Sequence, residues 1–154
     1  MDDPLKFTLM EAFRAAAKEY FGQLAIDCRT SLQKVMSNVY GFETAVAIVT
    51  IAVYHGHRPA IMAKIRNRTP SDHVYVDDSR DIAASWFVER ETGQTARGMP
   101  EYDGWTEQTI DEAVQQEASA LRTHAWAYLN DKTADWDGMR QWREVQIAKN
   151  MARR

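Results

Sequence analysis

Residues 45–54 read AVAIVTIAVY and form the most apolar run of the 154-residue chain. A membrane-spanning helix needs roughly 20 apolar residues, so a run of ten is too short to cross a bilayer. The opening residues MDDPLKF are acidic and lack the basic and then apolar order of a signal peptide. We therefore expect a soluble protein with no membrane partner, in which this run lies in the core.

The sequence before and after this run has the spacing of helices. Apolar residues recur every three or four positions over residues 9–39, which predicts a long first helix capped by Asp2 or Asp3. A second helix is predicted over residues 42–54 and a third over residues 60–68, with glycine and proline between them.

The pattern changes after Pro70. Residues 85–89 contain aromatic and β-branched side chains, which favours a strand. Residues 91–98, ETGQTARG, have the composition of a turn or loop. A small β element is therefore predicted in the middle of the chain.

Helical signals return in the last third. Thr109 and Glu112 have the order of a capping box, in which the two side chains satisfy each other's backbone N–H groups, and they open an alanine-rich helix to about residue 121. Residues 126–129 either extend this helix or form a second strand. A last amphipathic helix is predicted over residues 139–152.

These elements together predict an α+β fold that is mostly α-helical. We expect a long N-terminal helix, with further helices packed around a small central β element. The chain length predicts a single domain. Its N-terminal helical part comprises residues 1–56, and a helix–loop–strand–helix part comprises residues 57–154.

Charge and cysteine content exclude several classes of function. The net charge is −3 and the two signs are interspersed, so we predict no nucleic-acid partner. Basic residues are in surplus only at the C-terminus, where they suit the negative end of a helix: Arg140, Arg143, Lys149, Arg153 and Arg154. The one cysteine, Cys28, is interpreted as a small core residue of a reducing compartment.

The histidines admit a metal site. His55 and His57 are two residues apart, a spacing that on a strand directs both imidazoles to one ion, and His73 with Asp77 or Asp78 could complete the ligands. Against this interpretation, Arg58 would place a positive charge beside the ion. Histidines near helix ends also serve simply as donors to the last carbonyls.

Two of the aspartates at residues 72–81 could form a catalytic pair of carboxyl groups. Such a pair needs a cleft and two environments that separate the pKa values. Four aspartates in one short polar segment are equally typical of loop chemistry, in which Asp bonds its own backbone. The chain has no phosphate-binding loop, dinucleotide fingerprint, serine-hydrolase elbow or zinc-protease motif. We therefore predict no cofactor and no small-molecule substrate.

All five tryptophans fall in the second half of the chain. Tryptophan anchors cores and is enriched at interface hot spots. Trp86 and Trp142 are expected in the core. Trp105 and Trp136 have Asp, Gly and Thr neighbours and are expected to be partly exposed, so for these two we keep both an interface and a core role open.

The stretch 69–86 resembles a known pattern. Thr69-Pro70, then Asp78-Ser79-Arg80 and Ser85-Trp86, is similar to the Thr-Pro-x-Asp-Thr-Gly-x-x-x-x-Ser-Trp pattern of phage neck proteins, which join head to tail in long-tailed phages. The match covers about residues 58–154, with seven residues between Pro70 and Asp78, where the pattern has one, and arginine in place of the glycine. The resemblance implies a helix ending at Thr69-Pro70, strands at residues 86–88 and 127–130, and a closing helix from Gly138.

The resemblance implies a non-enzymatic virion structural protein, a neck, connector or tail-completion subunit that forms a ring. The expected partners are further copies of the chain and other virion proteins, and the expected location is the virion, with the host cytoplasm before assembly. Its interface and structural motif would comprise Thr69, Pro70, Asp78, Ser85, Trp86, Trp105 and Trp136. Two alternatives stay open: a small phage-encoded protein that binds and inhibits a host factor, and a metal-dependent enzyme centred on His55, His57, His73 and Asp78.

Overall fold

A computed structural model describes residues 7–54, 59–72, 74–95 and 104–153. The chain begins with helices and a π-helical turn, continues as an antiparallel meander, and ends in four helices. The elements are α1 (Phe7–Ala16), the π-turn (Ala17–Phe21), α2 (Gly22–Asp27), β1 (Gln33–Met36), β2 (Val39–Glu43), β3 (Ala47–Tyr54), β4 (Ala60–Asn67), β5 (Ile82–Ala83), α3 (Ala84–Thr92), α4 (Glu107–His124), α5 (Trp126–Asn130) and α6 (Trp136–Ala152).

The five strands form one antiparallel sheet in the order β1-β2-β3-β4-β5. The predicted small central β element is therefore wrong, because the sheet is the structural centre of the fold. The helices predicted over residues 42–54 and 60–68 are wrong for the same reason. Five of the eight residues of β3 are β-branched, and such side chains pack better on a pleated strand than against a preceding helical turn.

Both faces of β3 are buried, which explains its unbroken apolar sequence. Alternate residues Val49 and Ile51 belong to the core cluster with the helices, and we call this side of the sheet the inner face. Ile48 and Ala52 are also buried, on the opposite or outer face. A continuous apolar run is typical of a strand covered on both sides, and it has no period that separates it from a buried helix.

The first helical region is shorter than predicted. It ends at Asp27, and the predicted continuation to residue 39 is wrong because β1 and the start of β2 occupy that stretch. The end is a Schellman-type cap: Arg29 has a φ of 64°, and the Thr30 N–H donates to the Ala25 carbonyl at 2.9 Å. Glycine usually fills this position, so its absence concealed the end of the helix.

The C-terminal helices match the predictions in part. The helices predicted over residues 109–121 and 139–152 are confirmed as α4 and α6. The capping box of α4 is formed by Thr106 and Thr109, one turn earlier than predicted. The strand predicted at residues 85–89 is wrong, since that stretch lies in α3, and residues 126–130 form the short helix α5.

The main core lies between the inner face of the sheet and the helices. Fully buried side chains from α1, the π-turn, α2 and α4 pack against the odd-numbered residues of β3 and β4. They are Phe13, Phe21, Leu24, Ile110, Val114 and Leu121. The outer face has a different cover, which forms the candidate site.

Candidate protein-binding site

Residues 68–72 and 74–81, which we call the strap, cross the outer face of the sheet between β4 and β5. Arg66 holds the strap from below: its side chain is 2% exposed, and its guanidinium donates to the Val76 carbonyl at 2.9 Å and to Asp81 Oδ1 at 3.0 Å. The same guanidinium lies 3.7 Å from Asp72. A buried charge is stable only when it is paired and hydrogen-bonded, so Arg66 requires the strap to stay closed over it.

Arg80 forms a second group of ion pairs within the strap. Its guanidinium hydrogen-bonds Asp72 and also lies 3.0 Å from Asp78 Oδ1. Hydrogen bonds from the Arg80 side chain, and then from its backbone N–H, lower the pKa of Asp78 to about 2. Burial alone would raise the pKa of Asp72, but the Thr69 N–H and the Arg80 guanidinium outweigh it and lower that pKa.

These ion pairs give the strap residues Asp72 and Asp78 a structural role. An acid–base pair needs one carboxyl that holds a proton near neutral pH while the other is ionised. Here hydrogen bonds lower the pKa values of both Asp72 and Asp78, from the Thr69 N–H and Arg80 to Asp72 and from Arg80 to Asp78, which favours the ionised form of both groups. The geometry therefore favours a structural role for these aspartates over a catalytic one. The alternation of arginine and aspartate at positions 66–81 is the sequence feature that indicates this role.

Tyr75, in the middle of the strap, packs against the sheet. Its φ is 68°, and its ring lies directly on Gly41 of β2. A Cβ atom built on Gly41 would lie 2.5 Å from Tyr75 Cδ1 and 2.8 Å from the carbonyl oxygen of Val49. Only glycine leaves room for this approach, which makes Gly41 the point where sheet and strap are in closest contact.

A cleft of about 450 Å³ opens between the strap and strands β1 to β3. Its described lining is mostly apolar: Val35, Met36, Val39, Ala52, Val53, Val74 and Val76, with Asn38, Thr50, Tyr54, Tyr75 and Asp77. Asp77 alone among these residues is charged. A cleft with apolar walls and a few polar groups is the usual form of a binding site.

Tyr54 forms the polar end of the cleft. Its hydroxyl donates to Asp77 Oδ1 at 3.4 Å, and Lys64 Nζ lies 4.4 Å from the centre of its ring. Burial, followed by the negative charge of Asp77, raises the pKa of Tyr54. The phenol therefore stays protonated at neutral pH and can act as a hydrogen-bond donor at this end.

The residues of the predicted motif fall into two places. Thr69 and Pro70 begin the strap after β4, and Asp78 pairs with Arg80 inside it. Thr69-Pro70 therefore does not end a helix, contrary to what the resemblance implies. Ser85 and Trp86 lie in the first turn of α3, outside the strap.

Of the two roles kept open for Trp105 and Trp136, the structure shows the core role, and the partial exposure expected for them is wrong. Trp105 and Trp136 are buried, with 6% and 8% of their surface exposed. Trp86 and Trp142 are only partly buried and pack edge to face on each other, with ring centres 6.0 Å apart. The polar neighbours of Trp136 misled the prediction, because they cap α6 while its ring packs on Tyr128.

The metal-site hypothesis depends on residues outside the described ranges. His55, His57 and His73 all lie there, and Asp78 is occupied by Arg80. Within residues 7–54, 59–72, 74–95 and 104–153, no three potential ligands lie close enough together to hold an ion.

A second exposed surface lies on α6. Residues 144–153, which we call the α6 tip, carry Val145, Ile147 and Met151 with 51%, 40% and 67% of their surface exposed. The cleft rim shows the same feature, since Met36, Val74 and Val76 are 56%, 39% and 61% exposed. Val145 lies on a different side of α6 from Ile147 and Met151, since residues two apart on a helix do not share a face. Five of the nine large exposed hydrophobic residues of the described chain therefore lie on these two surfaces.

The sequence and the structure were compared with those of known proteins. No family model, curated protein or solved structure matches the chain. The strands implied by the phage-neck resemblance at residues 86–88 and 127–130 are wrong, because these residues lie in α3 and α5. Within the described ranges, no helix combines the length and apolarity needed to span a bilayer.

Proposed function

We propose that this protein is a non-enzymatic assembly subunit that works through protein–protein interfaces. The observation that supports this proposal is the presence of two separate apolar surfaces, the cleft rim and the α6 tip, on one small chain. Isolated exposed hydrophobic residues are ordinary, whereas grouped ones mark interaction sites. Two different surfaces on one subunit are what head-to-tail assembly requires.

The ion pairs of the strap carboxylates agree with a binding role. The strap aspartates bind arginine, and the pairs hold the outer cover of the sheet in place. Their function in this proposal is to keep the cleft open and rigid. Rigid surfaces lose less conformational entropy when they bind a partner.

The more specific form of the proposal is a virion neck, connector or tail-completion subunit that forms a ring with its own copies and joins other virion proteins. This assignment depends on the sequence pattern at Thr69-Pro70, Asp78 and Ser85-Trp86 alone. It places the protein in the virion, and in the host cytoplasm before assembly.

The test is the mass of the purified protein, measured by light scattering over a hundredfold range of concentration, with negative-stain images of the same fractions. The proposal expects a discrete oligomer of more than two subunits, with rings in the images. A monomer at every concentration would contradict it and favour the inhibitor alternative, which predicts a one-to-one complex with a host protein.

A further inference from the structure

We infer that the α6 tip of one copy occupies the strap cleft of the next copy. This inference rests on the proposed assembly function and names the contact that would build it. The occupant is a second copy of this chain, and three observations support that choice.

The first observation is that both surfaces are apolar and that the cleft is large enough for side chains of the tip. Ile147 and Met151 are four residues apart, so they lie on one side of α6 and present a continuous apolar strip. The cleft volume of about 450 Å³ is three times that of a roughly 150 Å³ apolar cavity that accepts a benzene-sized group. The cleft is therefore large enough for the side chains of one helical strip.

The second observation is charge complementarity. Residues 136–154 carry five basic and two acidic side chains, a net charge of +3, while residues 1–135 carry −6. The tip itself bears Lys149 and Arg153 against Glu144, a net charge of +1. The one charged residue of the described cleft lining is Asp77, and Lys64 lies beside the Tyr54 end of the cleft. Opposite charges favour contact between a tip and a cleft, and like charges disfavour contact between two tips.

The third observation is the placement of the two surfaces on the fold. Two arginines anchor the first half of α6 beside the β4 and β5 side of the sheet. Arg140 hydrogen-bonds Asn67, and Arg143 donates to the Asp81 carbonyl at 2.6 Å. The cleft lies over β1 to β3. The tip of each copy is exposed and does not fill its own cleft, so a tip-to-cleft contact joins two copies. When it runs from each copy to the next, as in the proposed assembly, the contact is heterologous.

Two surface substitutions test this contact. Val76→Asp places a charge on the cleft rim, and Met151→Asp places one on the tip; both side chains are mostly exposed, so the fold should tolerate them. Sedimentation velocity is expected to show that each variant alone sediments as a monomer. An equimolar mixture should form a dimer and nothing larger, because one intact tip then meets one intact cleft. Gln115→Asp should keep the wild-type oligomer, and thermal melts followed by circular dichroism verify the fold of each variant.

The remaining outcomes overturn the inference in different ways. An oligomer that survives either substitution would refute this contact and leave the assembly function standing. A folded pair of variants that stays monomeric on mixing would also refute the contact. A wild-type protein that is monomeric at every concentration would contradict both the contact and the assembly function.

Discussion

Replacing Glu117 by glutamine is expected to stabilise the protein at pH 8 much more than at pH 5. Glu117 lies on α4, where its Oε1 accepts a hydrogen bond of 3.1 Å from the Ala63 N–H of β4. Burial raises the pKa of this carboxyl from 4.5 to about 7, and the hydrogen bond only partly offsets that effect. The carboxylate is therefore less favourable in the folded state than in the unfolded state.

The size of the effect follows from proton linkage. Between pH 4.5 and 7 the folded protein holds a proton on Glu117 that the unfolded chain has lost, so stability falls as the pH rises through this window. At about 1.4 kcal/mol per pKa unit, the loss is below about 1 kcal/mol at pH 5 and reaches about 3 kcal/mol at pH 8. Glutamine keeps an acceptor for the Ala63 N–H and has no charge, so Glu117→Gln should recover this energy.

Urea unfolding followed by tryptophan fluorescence at pH 5, 6, 7 and 8 measures the difference. Glu112→Gln on the exposed side of α4 is the matched control, because it removes an exposed carboxylate from the same helix, whereas Glu117 is half-buried. A gain for Glu117→Gln that is the same at pH 5 and pH 8, or no gain at pH 8, would refute the reasoning.

Three further substitutions probe the sheet and its cover, each measured by urea unfolding at pH 7. Arg66→Met should cost about 3–5 kcal/mol, because it leaves the Asp81 and Asp72 carboxylates without their buried partner; a loss below 1 kcal/mol would contradict the strap anchor. Gly41→Ala should cost at least about 1–3 kcal/mol through the clash with Tyr75, and unchanged stability would show that the strap does not rest on β2. Thr44→Val should cost about 1–3 kcal/mol, because the hydroxyl donates to the Leu129 carbonyl at 2.7 Å; the isosteric control Thr133→Val on the surface should cost less.

The helices near the C-terminus could be predicted because their signals are local. The apolar period of α4 and the polar residues before it lie in one continuous stretch of sequence, so they can be recognised without knowing distant contacts. The same is true of α6. The hydrophobic character of residues 45–54 likewise determined that most of this run is buried, from residue 47 to residue 53. These features depend on neighbours three or four positions away, which the sequence displays directly.

The candidate site is decided by contacts between distant positions. Gly41 meets Tyr75 across 34 residues, and Arg66 meets Asp81 across 15, so no local pattern displays either pair. The surfaces that the proposals use depend on these contacts, because the strap closes the outer face and leaves the cleft at its edge. The aspartates could be found from the sequence, but their arginine partners give them a structural role that composition does not distinguish from catalysis.

The sequence by itself determined that the chain buries the run at residues 45–54 and ends in amphipathic helices, one of them basic. Only the tertiary structure decided that the run is the central strand of a sheet. An apolar stretch of eight to ten residues can be buried as a helix or as a strand, and local propensities differ by only a few tenths of a kcal/mol per residue. Pairing β3 with both β2 and β4 satisfies its backbone groups while its two faces are covered by the helices and the strap, and this long-range gain outweighs the local preference.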